Sequence, residues 1–223
     1  EATLAIGTTT DSLDADGEVT GEGPPVEQTL DEVRAIAATM VGLVRQRVPK
    51  VSAVRVDGER LHAKARRGDD FEPPEREVEL RALTIHEVTA GAIRFELEAS
   101  KGFYVRSFGR DLAERLGTVG HLSALRRLAS GAFSVAEAVG PEVVAPASLV
   151  DPAAAAAKVM ATVSVGPEAA ADLRMGRRVE AIADHEGPAA LVHEGALIAI
   201  AEQREGTWQV LRGFTSAAGT GAE

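Results

Sequence analysis

The 223-residue chain has no cysteine. That excludes a disulfide-stapled scaffold and a thiolate metal site. No apolar run approaches the roughly 20 residues needed to span a bilayer. The opening, EATLAIGTTT, has neither the basic n-region nor the apolar h-region of a secretory signal, and it has no initiator Met. It begins directly on strand-like alternation and reads as the remainder of something longer. There is no GxxxxGK[ST] and no GxGxxG after a strand, so no phosphate loop of either kind is expected. The five histidines, His62, His86, His121, His185 and His193, show no HxxxH spacing, and no close Ser–His–Asp order is present. A metal site is therefore not expected, and a cytoplasmic location without a membrane partner fits these absences.

Apolar residues make up 45% of the chain, enough for a core, so disorder is not the default. The formal net charge of -10 is strongly segregated. Residues 1–40 carry -8, 71–100 carry -4 and 134–223 carry -6, whereas 41–70 and 101–133 each carry +4. Two basic segments therefore stand inside an acidic protein. Phosphate binding depends on local Lys/Arg density, because counterion release is counted per contact. Solvated helix or loop faces would produce the same pattern.

The periodicity predicts a short strand at Ala2–Ile6, then an acidic turn-rich loop, TDSLDADGEVTGEGPP. A helix is expected over Thr29–Arg45, with Thr29 as N-cap, Glu32 at the capping-box position and a stripe running from Leu30 to Val44. Val51–Val56 reads as a strand and Arg60–Arg67 as a short basic helix. Glu77–Glu87 and Gly91–Ala99 read as strands, Tyr104–Leu116 as a helix, and His121–Leu128 as a helical or extended run. From Ala145 the chain turns Ala-rich, with a helix expected at Asp151–Met160. Val163–Phe214 reads as a strand-rich unit with a helix at Pro167–Leu173. The fold class is α+β with a mainly antiparallel sheet and a small C-terminal β module. The boundaries expected are 1–145, a linker over 146–162, a module over 163–215 and a tail over 216–223.

Asp11, Asp14 and Asp16 superficially suggest a calcium loop, but the EF-hand spacing is not met, and a solvated acidic loop is expected. Three blocks remain: QRVPKVSAVRVDGERLHAKARRG, SKGFYVRSFGRDLAERLG and GHLSALRRLASGAF. Taken singly, Tyr104, Arg106 and Leu125 read as a core aromatic, a first-turn arginine and a core leucine.

Taken together and in this order, the blocks resemble the bacterial tRNA pseudouridine-55 synthase family, the TruB type. The first is similar to Q-x-P-x-x-S-A-x-K-x-x-G-x-R-L-Y-x-x-A-R-x-G, matching at Gln46, Ser52, Ala53, Gly58, Arg60, Leu61, Ala65, Arg66 and Gly68. IGTTTDSLDADGE resembles G-x-x-T-D-T-x-D-A-x-G-E. The second and third blocks resemble S-K-G-T-Y-I-R-S-L-x-R-D-L-G-E and G-A-H-L-x-x-L-R-R. The likeness covers about residues 1–135, and a weaker one extends through GRRVEA to a small PUA-like RNA-binding module.

The resemblance implies a cofactor-free isomerase that flips a uridine of the tRNA T-arm out of its stack, detaches the base and rejoins it through carbon 5. It implies that Tyr104 stacks on the base, that Arg106 holds a catalytic carboxylate, and that Leu125 completes an apolar wall. Lys101, Arg60, Arg66 and His62 would contact the RNA, and the enzyme would be a monomer. The family's nucleophilic aspartate lies in a G-T-L-D-P motif upstream of the G-x-x-T-D-T segment, and no residue here matches it. The chain by itself is therefore expected to be inactive. Arg106 is then expected to turn outward or find a substitute acid. His62 stands at the family's Tyr, Arg55 at its Lys and Val48 at its Pro. A non-catalytic tRNA-binding or folding module on the same scaffold would share the basic segments, and a protein-interaction domain would need neither Tyr104 nor Arg106 in a cleft.

Overall fold

A computed structural model describes residues 1–56, 58–69 and 71–214. The chain divides into two compact units, Glu1–Arg127 and Leu128 onward. In chain order the first contains β1 (Ala2–Ile6), β2 (Thr8–Thr10), β3 (Val19–Glu22), α1 (Leu30–Ala38), β4 (Gly42–Arg47), β5 (Arg55–Val56), β6 (Glu59–Arg60), α2 (Leu61–Arg66), β7 (Glu75–Thr89), β8 (Ala92–Ala99), α3 (Val105–Arg115) and β9 (Gly120–Leu125). Five strands form one antiparallel sheet in the order β4-β7-β8-β1-β9.

One face of this sheet is apolar. Leu4, Leu80, Ile93 and Phe95 are fully buried there, together with Val33 and Ala37 of α1 and Phe108 and Leu112 of α3. Phe95 and Phe108 meet edge to face at 5.1 Å between ring centroids, a favoured aromatic arrangement. Charged pairs occupy exposed positions on the same strands: Arg81 with Glu79 and Glu98, and Arg94 with Glu1 and Glu87. Exposed pairs of this kind add little stability. The two helices on the apolar face hold the fold, and α3 also carries the residues of interest.

The expected helix over Thr29–Arg45 is two elements. Its start is as anticipated: the Thr29 Oγ1 accepts the Glu32 N–H, and the Glu32 carboxylate accepts the Thr29 N–H at 2.8 Å. It ends at Ala38, however, and Gly42, at φ 114°, turns the chain into β4. The apolar spacing through Met40 and Val44 fits a helix and also an alternating strand. Pairing of Gly42–Arg47 with Glu75–Leu80 of β7 decides between them. The strand expected over Val51–Val56 shortens to Arg55–Val56, the run at His121–Leu128 is strand β9, and the acidic loop contains the β2–β3 hairpin.

Gly120 pairs with Ile6 where β9 runs against β1. A Cβ there would lie 2.8 Å from the Ala5 carbonyl oxygen and 2.9 Å from the Leu4 Cδ1. Backbone cannot yield as a flexible side chain can. Gly120→Ala is thus expected to destabilise the first unit by about 1–3 kcal/mol, read as a lowered urea midpoint with an unchanged m-value.

The second unit begins with a small hairpin, β10 (Ala129–Ser130) and β11 (Phe133–Ser134). It continues with α4 (Pro152–Ala157), β12 (Ala161–Ser164), α5 (Pro167–Arg174), β13 (Val179–Glu180), β14 (Pro188–His193), β15 (Ala196–Arg204) and β16 (Thr207–Gly213). Its five-stranded sheet runs β12-β14-β15-β16-β13, with β12 parallel to β14 and the other pairs antiparallel. Leu173, Leu191, Ile198 and Trp208 form its core. The division after Arg127 falls ahead of the boundary at 145 expected from the sequence. Among the described residues no helix is long and apolar enough to cross a membrane.

Candidate active site

The loop that follows β2 folds back on itself. The Thr10 Oγ1 donates to the Asp14 carbonyl at 2.7 Å, and the Leu13 N–H donates to the Thr10 carbonyl at 3.2 Å. Leu13 adopts φ 65°, a left-handed conformation uncommon for a leucine. Its carbonyl accepts the Leu122 N–H of β9 at 3.0 Å, which anchors the loop to the sheet. Asp14 is thereby presented to α3. Its Oδ1 accepts the Ser12 hydroxyl at 2.5 Å and the Asp16 N–H at 3.2 Å, and its Oδ2 accepts the Arg106 Nη1 at 2.8 Å.

Arg106 joins three segments. Besides Asp14, its Nη1 donates to the Ser12 carbonyl at 2.7 Å, and its Nη2 donates to the Val51 carbonyl at 3.0 Å. Both side chains are largely covered, 21% exposed for Arg106 and 30% for Asp14, so this pair is not a screened surface contact. The expectation of a solvated acidic loop is corrected at Asp14: the substitute acid of Arg106 is this residue. The signal was available, because Asp14 is the second aspartate of the T-D-S-x-D run.

Tyr104 is the N-cap of α3, with Arg106 in the first turn behind it. The Arg76 guanidinium lies 5.9 Å from the Tyr104 ring centroid, a cation–π distance. Arg76 did not figure among the expected site residues; nothing in its local pattern marks it, since only β4–β7 pairing places it there. Leu125 is 57% exposed and so is not enclosed in a wall. A bulge between Leu122 and Ala124 pairs Leu122 with buried Leu4 and Leu125 with buried Ala2. Cross-strand partners share a face, so Leu125 lies on the face covered by α3 but beyond the covered part. Tyr104, Arg106 and Leu125 are thus on one side of the sheet.

The expected RNA contacts are peripheral. Lys101 is exposed in the turn before α3, and Arg66 is exposed at the end of α2. The His62 N–H and Nδ1 both meet the Ser52 carbonyl, at 3.0 and 3.1 Å. A neutral ring bonded in this way carries its proton on Nδ1 and leaves Nε2 as an acceptor. The side chain of Arg60 lies outside the described residues.

A separate cleft of about 410 Å³ lies along β4 and α3 and does not include Tyr104 or Arg106. It is lined by Arg45, Arg47, Arg110 and Arg115 but also by Glu75, Asp111 and Glu114. Arg110 already bonds Asp111 at 2.6 Å, and burial pushes the Asp111 carboxyl up against the pull of that arginine. Its charges are nearly balanced, which suits a polyanion poorly.

The chain is similar to known proteins in sequence and in fold. Residues 1–105 match the family model described as TruB family pseudouridylate synthase, N-terminal domain. A tRNA pseudouridine synthase B from an Arthrobacter species is 33% identical over 215 residues, covering 89% of this chain and 70% of that protein. The chain belongs to the TruB family. A second relative of the same name, from Xanthomonas campestris pv. campestris, is 35% identical over 199 residues; these are 86% of this chain but 65% of that protein. A third, from Caulobacter vibrioides, is 42% identical over 141 residues, 63% of this chain and 45% of that protein. The chain thus spans less than two thirds of several of its TruB relatives. A crystal structure of a Cbf5–Nop10–Gar1 complex shares the fold at TM-score 0.63 and 16% identity, over 96% of this chain and 66% of that one. An H/ACA RNP structure bound to a substrate RNA containing 2′-deoxyuridine gives 0.62 at 14% identity, over 96% and 65%.

Proposed function

We propose that this chain contributes the active site of an isomerase that converts uridine to pseudouridine in the T-arm of tRNA. The observation that carries the reading is Arg106, which ties α3 to the 12–14 loop and to Val51, two residues from Tyr104. In this reading the target base leaves its stack and lies against the Tyr104 ring, with Leu125 closing an apolar side. Flipping accounts for an exposed leucine at that place, since the base supplies the missing cover.

Arg106 has five N–H donors and, among the described residues, uses three, two on Nη1 and one on Nη2. The Nε–H and the second Nη2–H are left for another carboxylate, the aspartate of the G-T-L-D-P motif. That aspartate is the nucleophile or base of the reaction, and Arg106 fixes its position through charge-assisted hydrogen bonds. Asp14 holds the guanidinium in place while it does so. The second unit is read as a PUA-like RNA-binding module, with the protein acting as a monomer on a single stem-loop.

The direct test is detection of pseudouridine in a T-arm stem-loop treated with the protein, together with a segment carrying the G-T-L-D-P motif. An unchanged stem-loop in the presence of both would refute the reading. RNA affinity supplies a second test. The +4 segments 41–70 and 101–133 supply the phosphate contacts despite the overall charge of -10. Affinity for the stem-loop is expected to fall on the order of tenfold or more between 50 and 200 mM salt. A dissociation constant flat across that range would remove the proposed role of Lys101 and Arg66.

A further inference from the structure

We infer that Gln46 is a positioning residue that sets the Tyr104 ring for its base, acting with its cross-strand neighbour Arg76; the inference rests on the reading of Tyr104 given above. Gln46 is 2% exposed, in the last part of β4. Its side-chain Oε1 accepts the Tyr104 N–H at 2.7 Å, and its Nε2 donates to the Tyr104 carbonyl at 3.0 Å. One amide thus grips both sides of one residue's backbone, 58 positions away. Only one orientation of the amide satisfies both bonds, so the oxygen and nitrogen are assigned by the partners themselves.

Tyr104 needs such a grip. It is the N-cap of α3 at φ -109° and ψ 109°, and no side-chain cap bond fixes it. Its carbonyl also accepts the Phe108 N–H at 3.1 Å, so the residue is the hinge between the turn at Gly102 and the helix. The next residue of β4 adds a second tether, as the buried Ser107 hydroxyl donates to the Arg47 carbonyl at 2.7 Å. Successive residues of one strand therefore pin the first turn of α3, from which both Tyr104 and Arg106 project. Gln46 pairs directly with Arg76 across β4 and β7, and the Arg76 guanidinium stands over the Tyr104 ring, 5.9 Å from its centroid. The pair holds the tyrosine twice, by its backbone and by one ring face, which leaves the opposite face for a base.

The test separates positioning from bulk stability. In the assay of pseudouridine formation, Gln46→Leu is expected to lower the single-turnover rate about 100-fold while stem-loop affinity stays within about twofold, at temperatures well below unfolding. Hydrogen exchange at the Tyr104 amide should accelerate in the same variant. Gln46→Glu gives a signature that a structural role would not. Ionised, the carboxylate accepts from the Tyr104 N–H but cannot donate to its carbonyl; protonated, it does both. Burial and the Tyr104 carbonyl favour the protonated carboxyl while the Tyr104 N–H and the neighbouring Arg76 favour the ionised one, and the rate of Gln46→Glu relative to wild type should climb as falling pH protonates it. Wild-type turnover in Gln46→Leu, or a Gln46→Glu ratio flat with pH, would overturn the inference. If Tyr104→Ala is fully active, the underlying reading of Tyr104 fails, and the inference fails with it. If Tyr104→Ala is inactive and Gln46→Leu is not, only the positioning role is lost.

Discussion

Arg106→Met is expected to lower pseudouridine formation by on the order of 100-fold or more, with the fold left standing. The substitution keeps a long apolar stem and removes every donor. Three acceptors then lose a partner: the Ser12 carbonyl, the Asp14 Oδ2 and the Val51 carbonyl. Asp14 keeps its bonds from Ser12 and Asp16 and is 30% exposed, so water can replace the guanidinium there. The loss of stability should therefore be about 1–3 kcal/mol, far below what unfolding the unit requires. The catalytic loss is larger because the carboxylate that attacks the base no longer has a fixed place. Arg106→Lys should not rescue it, since an ammonium on one flexible stem cannot satisfy three divergent acceptors and a further carboxylate at once. The measurement is a single-turnover rate on a T-arm stem-loop, with a segment carrying the G-T-L-D-P motif added, beside an affinity and a melting curve for the same protein. Full turnover in Arg106→Met with the stem-loop bound normally would show that Arg106 positions nothing.

Several of the elements that carry the proposed site were legible from residue order, for a physical reason. Tyr104 and Arg106 are set by a local element, and the periodicity of Val105, Phe108 and Leu112 identifies that helix without tertiary knowledge. The capping box at Thr29 and the alternation of Ile93, Phe95 and Leu97 are local in the same sense. What escaped depends on long-range pairing. Gly42–Arg47 carries a pattern that two periods fit, and only its register against β7 makes it a strand. With that strand come Gln46 and Arg76, whose roles exist only through a partner some 30 or 60 residues away. Asp14 escaped because an acidic turn-rich run is ordinarily solvated. Its burial comes from the left-handed turn at Leu13 and the bridge to Leu122, neither of which composition records. Leu125 was expected to complete an apolar wall, and it lies on the apolar face of the sheet but is exposed there. Its exposure could not be read from sequence, since alternation tells which face a side chain takes and not how far the cover extends.

The largest effect is expected from adding a segment that bears the G-T-L-D-P motif. A separately made segment bearing the G-T-L-D-P motif should bind the first unit, and pseudouridine formation on a stem-loop is expected with the two together and at background with either one alone. The driving forces are visible at Arg106 and on β9. The guanidinium is 21% exposed with two N–H groups lacking partners among the described residues, and partly buried donors of that kind favour a charged acceptor. β9 is an edge of the five-stranded sheet, with Ser123, Ala124 and Leu125 exposed at its end, and an edge strand is a template for a further strand. Two controls fix the interpretation. Replacing the motif's aspartate by asparagine in the added segment should allow assembly and abolish turnover, because the amide is similar in shape but not a nucleophile. Arg106→Met in this chain should likewise assemble and not turn over. Assembly is read by a shift in sedimentation or by co-elution, and turnover by release of tritium from 5-labelled uridine. If the intact segment assembles and turnover stays at background, the nucleophile does not reach Arg106, and the proposed arrangement of the site is wrong even though the fold stands.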